Sequence, residues 1–256
     1  MFDVDTYLHK LGYEKSPSVS VETLRELHKR HLMAVPFDNA LNSERGLDIW
    51  EQVNIDLDAT FDAVVIGGRG GVCHEISGLF RTLLRQLGFQ VAIMSAGVRM
   101  ANGAFGPELE HMFHVVQLEG EQWLVDVGFA GPSFIEPLRL TGEVQHQYGC
   151  QFRIADDEDF KVLHRKARTG EWHPVYRFRV RPRDLSEWRG DPSLREYARE
   201  LSAAETLIRG RAFETGQMTL IGRRYAKVDD GREEVRVLIR QAEYQQVVDD
   251  ILLRAA

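Results

Sequence analysis

Around residue 90 the hydrophobic period of this chain changes from 3.6 residues to 2. No other feature narrows the possible folds so far. Before that point apolar residues recur at helical intervals: Val4, Tyr7, Leu8 and Leu11 ahead of Gly12, then Leu24, Leu27, His31 and Leu32 ahead of Pro36. A short helix is expected around Phe61, Val64 and Val65. A longer one carries Ile76, Leu79, Phe80, Leu83, Leu84 and Leu87 up to Gly88. From Gln90 onward, Val91, Ile93 and Ser95 begin a strand, and residues 111–118 and 122–127 flank Glu119-Gly120-Glu121 as a hairpin. Further strand-like runs lie at 151–154, 160–163 and 175–180. Helices followed by several short strands with turn signals between them give an α+β chain with a small barrel or curled sheet. Residues 181–191, charged and with two prolines, read as a linker. A helix over 194–201, strand pairs around Asp229-Asp230-Gly231 and a terminal helix with Val247, Val248, Ile251 and Leu252 complete the chain.

Composition excludes several functions. At 256 residues and 43% hydrophobic, the chain builds one large core or two to three small subdomains. No apolar run approaches the roughly 20 residues a membrane span needs. The N-terminus is acidic and helical in pattern, unlike a signal peptide. With Cys73 and Cys150 alone, a disulfide framework is not expected and a reducing cytoplasm fits. The net charge of −7 argues against general nucleic-acid binding.

The chemistry centres on Arg69-Gly70-Gly71-Val72-Cys73-His74-Glu75. Two glycines turn the chain into the helix, so Cys73 falls in its first turn. There the free N–H groups and the positive dipole end favour a thiolate. The competing reading of Cys73 is a small apolar residue filling a helix start. A catalytic thiolate needs a histidine, and the histidine a group to orient it. The hairpin offers His111 and His114 on one strand and Asp126 on the other. With a two-residue loop at Glu119-Gly120, directly opposed residue numbers sum to 239. Asp126 then shares a face with His111, while His114 lies with Trp123, Val125 and Val127 as a satisfied core histidine. A three-residue loop reverses that choice. Asp126 lies in the apolar run Trp123–Phe129, where a buried charge needs a partner, or else caps nearby turn amides. A metal site built from Cys73, His74, His111 and His114 is disfavoured, because strand alternation puts the last two on opposite faces.

With those residues in place, the chain resembles the arylamine N-acetyltransferase family. That family's pattern is Arg-Gly-Gly-aromatic-Cys-aromatic-Glu, then a histidine strand, then Asp-x-Gly-Phe. Here it reads Arg69 to Glu75, His111, and Asp126-Val127-Gly128-Phe129. Val35-Pro36-Phe37-Asp38-Asn39 is similar to the family's Pro-Phe-Glu-Asn, and 171–178 to the segment leading out of its barrel. The resemblance implies a cysteine-protease-like fold in three parts: a helical bundle over 1–88 carrying the cysteine, a β-barrel over 89–184 carrying the histidine and aspartate, and an α/β lid over 185–256. It also implies ping-pong acyl transfer. Cys73 takes an acyl group from a thioester, His111 activates the thiol and relays the amine's proton, and Asp126 orients His111. Backbone amides near Cys73 hold the oxyanion. By the same motifs Phe37 and Phe129 line the acyl and amine pocket.

The chain departs from the family at two places. Val72 and His74 replace the aromatics that usually flank the cysteine, which implies a wider and more polar pocket floor. Family acetyltransferases also carry a Ser/Thr–Pro–Ser–Phe type segment in the lid that helps hold coenzyme A. The stretch 202–209, with Thr206 as its pocket-facing residue, lacks the Pro and Phe and carries Glu205, a poor neighbour for phosphates. Both departures fit the family's ansamycin amide synthases, which take a polyketide from the phosphopantetheine arm of an acyl carrier protein and close it onto its own arylamine as a macrolactam. The alternative is N-acetylation of an arylamine by acetyl-CoA. Neither reading calls for a permanently bound cofactor, a metal, a nucleic acid or a membrane. Arg177, Arg179, Arg181 and Arg183 offer a docking patch for a phosphopantetheine arm or an acidic carrier, or else a solvated strand face.

Overall fold

The computed structural model describes residues 1–41 and 53–253, apart from the side chain of Ser202. The first helices begin at polar caps. In α1 (Val4–Lys10) the Asp3 carboxylate accepts the Thr6 amide at 2.8 Å, and in α2 (Val21–Ala34) the Ser20 hydroxyl accepts the Thr23 amide at 3.3 Å. Val35, which precedes Pro36, is extended and ends α2. A single turn, α3 (Leu57–Thr60), widens into a π-helical turn over Phe61–Ile66. The central helix, α4 (Cys73–Gln86), buries Ile76, Leu79, Phe80, Leu83 and Leu84 completely. Each such side chain contributes about 1.5–3 kcal/mol relative to exposure, so this stripe holds α4 between the bundle and the sheet beyond it. Its neighbours on one side are Tyr7, Leu24, Leu27, Phe61 and Val65, and on the other Val116, Trp123 and Val125.

An eight-stranded sheet follows, formed by β2 (Gln90–Val98), β3 (His111–Leu118), β4 (Glu121–Val125), β5 (Leu138–Arg139), β6 (Gln145–Gln147), β7 (Cys150–Asp157), β8 (Phe160–Lys166) and β9 (His173–Phe178). Its spatial order is β5-β4-β3-β2-β9-β8-β7-β6, all antiparallel. In the β3–β4 hairpin His114 faces Val125 and Leu118 faces Glu121. Glu119 and Gly120 both have positive φ, +54° and +79°, the two-residue turn that matches strand twist. The register is therefore the one expected from a two-residue loop. Alternation sends Phe113 and Val115 into the sheet's own core with Phe152, Leu163, Tyr176 and Phe178, and Val116 toward the bundle.

Strands β7 and β8 run beyond the apolar stretches 151–154 and 160–163, because backbone pairing continues through their polar ends. The run expected at 175–180 is displaced to β9. It pairs with β8 from His173 to Phe178 through a bulge at Leu163/His164, and Val180 lies beyond the paired residues and is exposed.

The linker makes one 3₁₀ turn (Leu185–Trp188) before α5 (Pro192–Ala204). This helix starts earlier than its apolar periodicity implies, because Asp191 caps it and Pro192 occupies its first turn. A second antiparallel sheet comprises β10 (Ile208–Phe213), β11 (Gly216–Ile221), β12 (Arg224–Asp229) and β13 (Arg232–Val237), and α6 (Gln241–Leu252) packs on it through Val247, Val248 and Ile251. One edge of this sheet is a strand from the N-terminal section, β1 (Phe37–Asp38), where the sequence periodicity marks no strand. Phe37 pairs with Gly210 on one side and bridges Gly71 on the other. Among the described residues no helix is long and apolar enough to cross a membrane.

Candidate active site

Two sequence motifs build the entrance to α4 by pairing with each other. The Gly71 amide donates to Pro36 O at 3.2 Å and the Asp38 amide to Gly71 O at 3.0 Å. Gly70 has φ +77°, and a Cβ there would lie 2.8 Å from Pro36 O, so only glycine fits. Glu75, three residues past the extended Val72, accepts the Val72 amide at 3.1 Å and Arg69 Nη2 at 2.6 Å. Val72 has no side-chain acceptor to return that bond, so only half of a capping box is made, and Arg69 pairs with the Glu75 carboxylate that makes it.

Cys73 is a free, buried thiol at the first position of α4. His111 and Asp126 reach it from the barrel. His111 Nε2 lies 2.8 Å from Asp126 Oδ2, with both residues almost fully buried, and its Nδ1 is the nitrogen left for the thiol. Asp126 Oδ1 accepts the Gly128 amide at 3.1 Å. Gly128 is the contact between the loop of Asp126 and the helix of Cys73. A Cβ at 128 would lie 2.9 Å from Cys73 Cα and 2.8 Å from Ser77 Oγ. The His111 ring is flanked by Phe113, Phe129 and Tyr176, at centroid distances of 6.2, 5.4 and 5.6 Å.

The electrostatics follow from these contacts. Burial alone raises the Cys73 pKa, but interaction of the thiolate with His111 and His74 outweighs it and brings the value down to about 6. Burial would lower His111, yet the Asp126 carboxylate and the thiolate raise it to about 10. A thiolate–imidazolium pair is therefore the favoured form at neutral pH. Tyr176 is buried with its hydroxyl near the Asp126 carboxyl but outside hydrogen-bonding geometry; burial, and then that carboxyl, hold its pKa well above the ordinary phenol value.

Cys73 and His111 open into a chamber of about 950 Å³. Phe37, Val72, His74, Phe129 and Thr206, the remaining pocket residues expected from the sequence, all line it. Another wall is one face of β12 and β13, with Ala226, Val228 and Val235. Sequence reasoning missed Glu110 and Tyr197. Their side chains hydrogen-bond to each other at the chamber's edge, joining the barrel to α5. It also missed His28, a polar residue on the buried stripe of α2, which accepts the Asp126 amide.

Two expectations change. His114 is in the core, but neither ring nitrogen has a hydrogen-bond partner among the described residues, and burial lowers its pKa to about 3. It is buried yet not satisfied. The arginines of 177–183 are held within the chain. Arg179 and Arg183 bind Glu108 at 2.8 and 2.6 Å, Arg181 binds Glu187, and Arg177 lies over Phe105 and Phe160. They leave little charge free for a partner. Among the described residues no group of three or more His, Cys, Asp or Glu is arranged to hold a metal ion.

Residues 20–253 match the model of the N-acetyltransferase family. The chain belongs to the arylamine N-acetyltransferase family. It is similar to proansamycin X synthase of Amycolatopsis mediterranei, with 37% identity covering 98% of this chain and 97% of that protein. It is also similar to the arylamine N-acetyltransferase of Escherichia coli, with 31% identity covering 71% of this chain and 63% of that protein. Among solved structures, the Mycobacterium tuberculosis enzyme superposes with a TM-score of 0.81 at 25% identity, covering 97% of this chain and 92% of that one. The Mycobacterium marinum enzyme in complex with CoA gives 0.80 at 26%, covering 98% and 93%. As a member of this family the protein is an acyltransferase, and its fold is the mixed α+β architecture expected from the sequence.

Proposed function

We propose that this arylamine N-acetyltransferase family member is an amide synthase. It transfers a polyketide-type acyl chain from a carrier-protein phosphopantetheine thioester to Cys73, then closes the chain onto its own arylamine terminus and releases an ansamycin-type macrolactam. The observation that carries this reading is the size of the chamber around Cys73. About 950 Å³ is at the upper end for a drug-sized ligand and leaves room for a long acyl chain beside an aromatic amine. The near full-length similarity to a proansamycin X synthase supports the same branch. Glu205 lines the chamber beside Thr206 and is an unfavourable neighbour for phosphate at that one place, while Arg99, Arg165, Arg224 and Lys227 line it elsewhere.

In this reading residues 1–88 supply the nucleophile, 89–184 the base and its orienting acid, and 185–256 the lid, and the enzyme works in the cytoplasm. The Cys73 thiolate attacks the thioester carbonyl, forming a C–S bond and an oxyanion. The amides of the first turn of α4, which have no intrahelical partner, stabilise that oxyanion. The tetrahedral intermediate collapses by breaking the donor's C–S bond, and the imidazolium of His111 protonates the departing thiolate. The arylamine nitrogen then attacks the acyl-Cys73 carbonyl, His111 takes the amine proton, and the Cys73 thiolate leaves as the amide forms. Asp126 keeps Nδ1 of His111 aimed at sulfur throughout. Phe37 and Phe129 give the arylamine apolar surface, and Val72 and His74 leave room at the floor for a long chain.

The test is incubation with a seco-chain thioester bearing a terminal aminophenyl group. Macrolactam release through a trappable acyl-Cys73 is expected. No ring product, together with rapid N-acetylation of simple anilines by acetyl-CoA, contradicts it and favours the family's general activity.

A further inference from the structure

His28 lies on α2, 98 residues from Asp126 in sequence, yet its ring joins the two ends of the loop that carries the site's acid. Nε2 accepts the Asp126 backbone amide at 3.1 Å, and Nδ1 donates to Ile135 O at 3.0 Å. The ring is completely buried and stacks on Phe134 at 5.7 Å with an interplanar angle of 14°. Between the two anchored residues the chain presents Gly128, Phe129, Ala130, Gly131 and Pro132 to the chamber. We propose that His28 is a positioning residue: as a neutral imidazole it fixes the Asp126 backbone, and through it the His111–Cys73 pair and the Phe129 wall.

The required form is specific. Only the Nδ1–H tautomer donates to Ile135 and still has an Nε2 lone pair for the Asp126 amide. An imidazolium would set an N–H against that amide. Burial favours the neutral ring, and lowers the His28 pKa despite the opposing pull of the Asp126 and Glu136 carboxylates. His31, the neighbouring titratable group on α2, is itself buried, with its pKa lowered to about 3, and holds Tyr7 instead. The Asp126 amide is left without a partner if His28 loses its acceptor. The loop can then pair that amide only by shifting, and the carboxylate shifts with it.

This inference rests on the triad reading above, and two substitutions separate the two. In His28→Asn the amide group replaces Nδ1 and keeps the bond to Ile135, but nothing reaches the Asp126 amide. In His28→Gln the side-chain oxygen replaces Nε2 and keeps the Asp126 bond. The readout is the pH dependence of Cys73 alkylation by iodoacetamide, which needs no acyl substrate, with thermal unfolding measured alongside. The native midpoint is expected near 6. His28→Asn should raise it by about a unit and so slow alkylation below the midpoint about tenfold, whereas His28→Gln should keep a native-like profile even if both variants are less stable. Equal profiles for the two variants overturn the positioning role, while a native midpoint at or above that of free cysteine overturns the triad reading instead. Should a variant not fold, nitrogen-15 NMR of the native histidines decides. His28 neutral at pH 7 with its proton on Nδ1 supports the proposal, and an Nε2–H tautomer or an imidazolium overturns it.

Discussion

At the scale of single residues, the two hairpin histidines provide a natural control. His111 and His114 are three positions apart on β3, both buried, yet their surroundings drive them in opposite directions. Asp126 and the thiolate hold one protonated, and apolar burial keeps the other neutral. His111→Ala should lower turnover by about 10²–10⁴-fold, the usual contribution of a positioned acid–base group. His114→Leu should leave turnover near native and leave stability unchanged or higher, since it removes two unpartnered ring nitrogens from the core. Equal losses of activity in the two variants, measured as kcat/KM, contradict the assignment. Gly128→Ala tests the other contact. Its methyl group would press on Cys73 Cα and Ser77 Oγ, so about 1–3 kcal/mol of destabilisation and slower acylation are expected from urea titration and single-turnover kinetics. A native-like variant would show that the Asp126 loop does not bear on Cys73.

At the scale of elements, the segment just before His111 is tied down one residue at a time. Glu108 is held by Arg179 and Arg183, Leu109 O by the Trp188 indole at 2.7 Å, and Glu110 by Tyr197. All of these partners lie in the β9–α5 connection or on α5 itself. Tyr197→Phe should therefore speed hydrogen exchange across residues 192–204 while leaving Cys73 alkylation near native, because α5 loosens but the hairpin does not. Unchanged exchange in α5 would mean the tie is not what holds this helix. Much of this level was legible in the sequence. The α4 stripe, the 119–120 turn and the resulting register follow from local periodicity and turn chemistry, and the register alone places His111 with Asp126. What was not legible is long-range. Nothing near Pro36–Asp38 marks it as a strand, because its partners are 34 and 173 residues away at Gly71 and Gly210. The arginines of 177–183 read as a free basic stripe because their acceptors, Glu108 and the Phe105 and Phe160 rings, are distant in sequence or on another strand. His28 gave no signal beyond being polar on an apolar stripe.

At the scale of the whole molecule, buried neutral histidines couple stability to pH. His31 and His114 both have folded pKa values lowered to about 3, against about 6.5 in the unfolded chain. Between those values the unfolded state binds more protons, so stability falls as the pH falls, by up to roughly 1.4 kcal/mol per pH unit for each ring. The urea midpoint should drop steeply between pH 6.5 and 5, and His114→Leu should flatten that slope. A midpoint independent of pH in this range would contradict the buried, neutral assignment. The account as a whole requires that a helix start, a strand and a hairpin return meet so that imidazole and carboxylate act on one sulfur. The rate of Cys73 alkylation measured against pH tests that meeting most directly. An inflection near 6 is predicted, with reactivity persisting well below the free-thiol value. An inflection at or above about 8.5, the value for an unassisted cysteine, would contradict it.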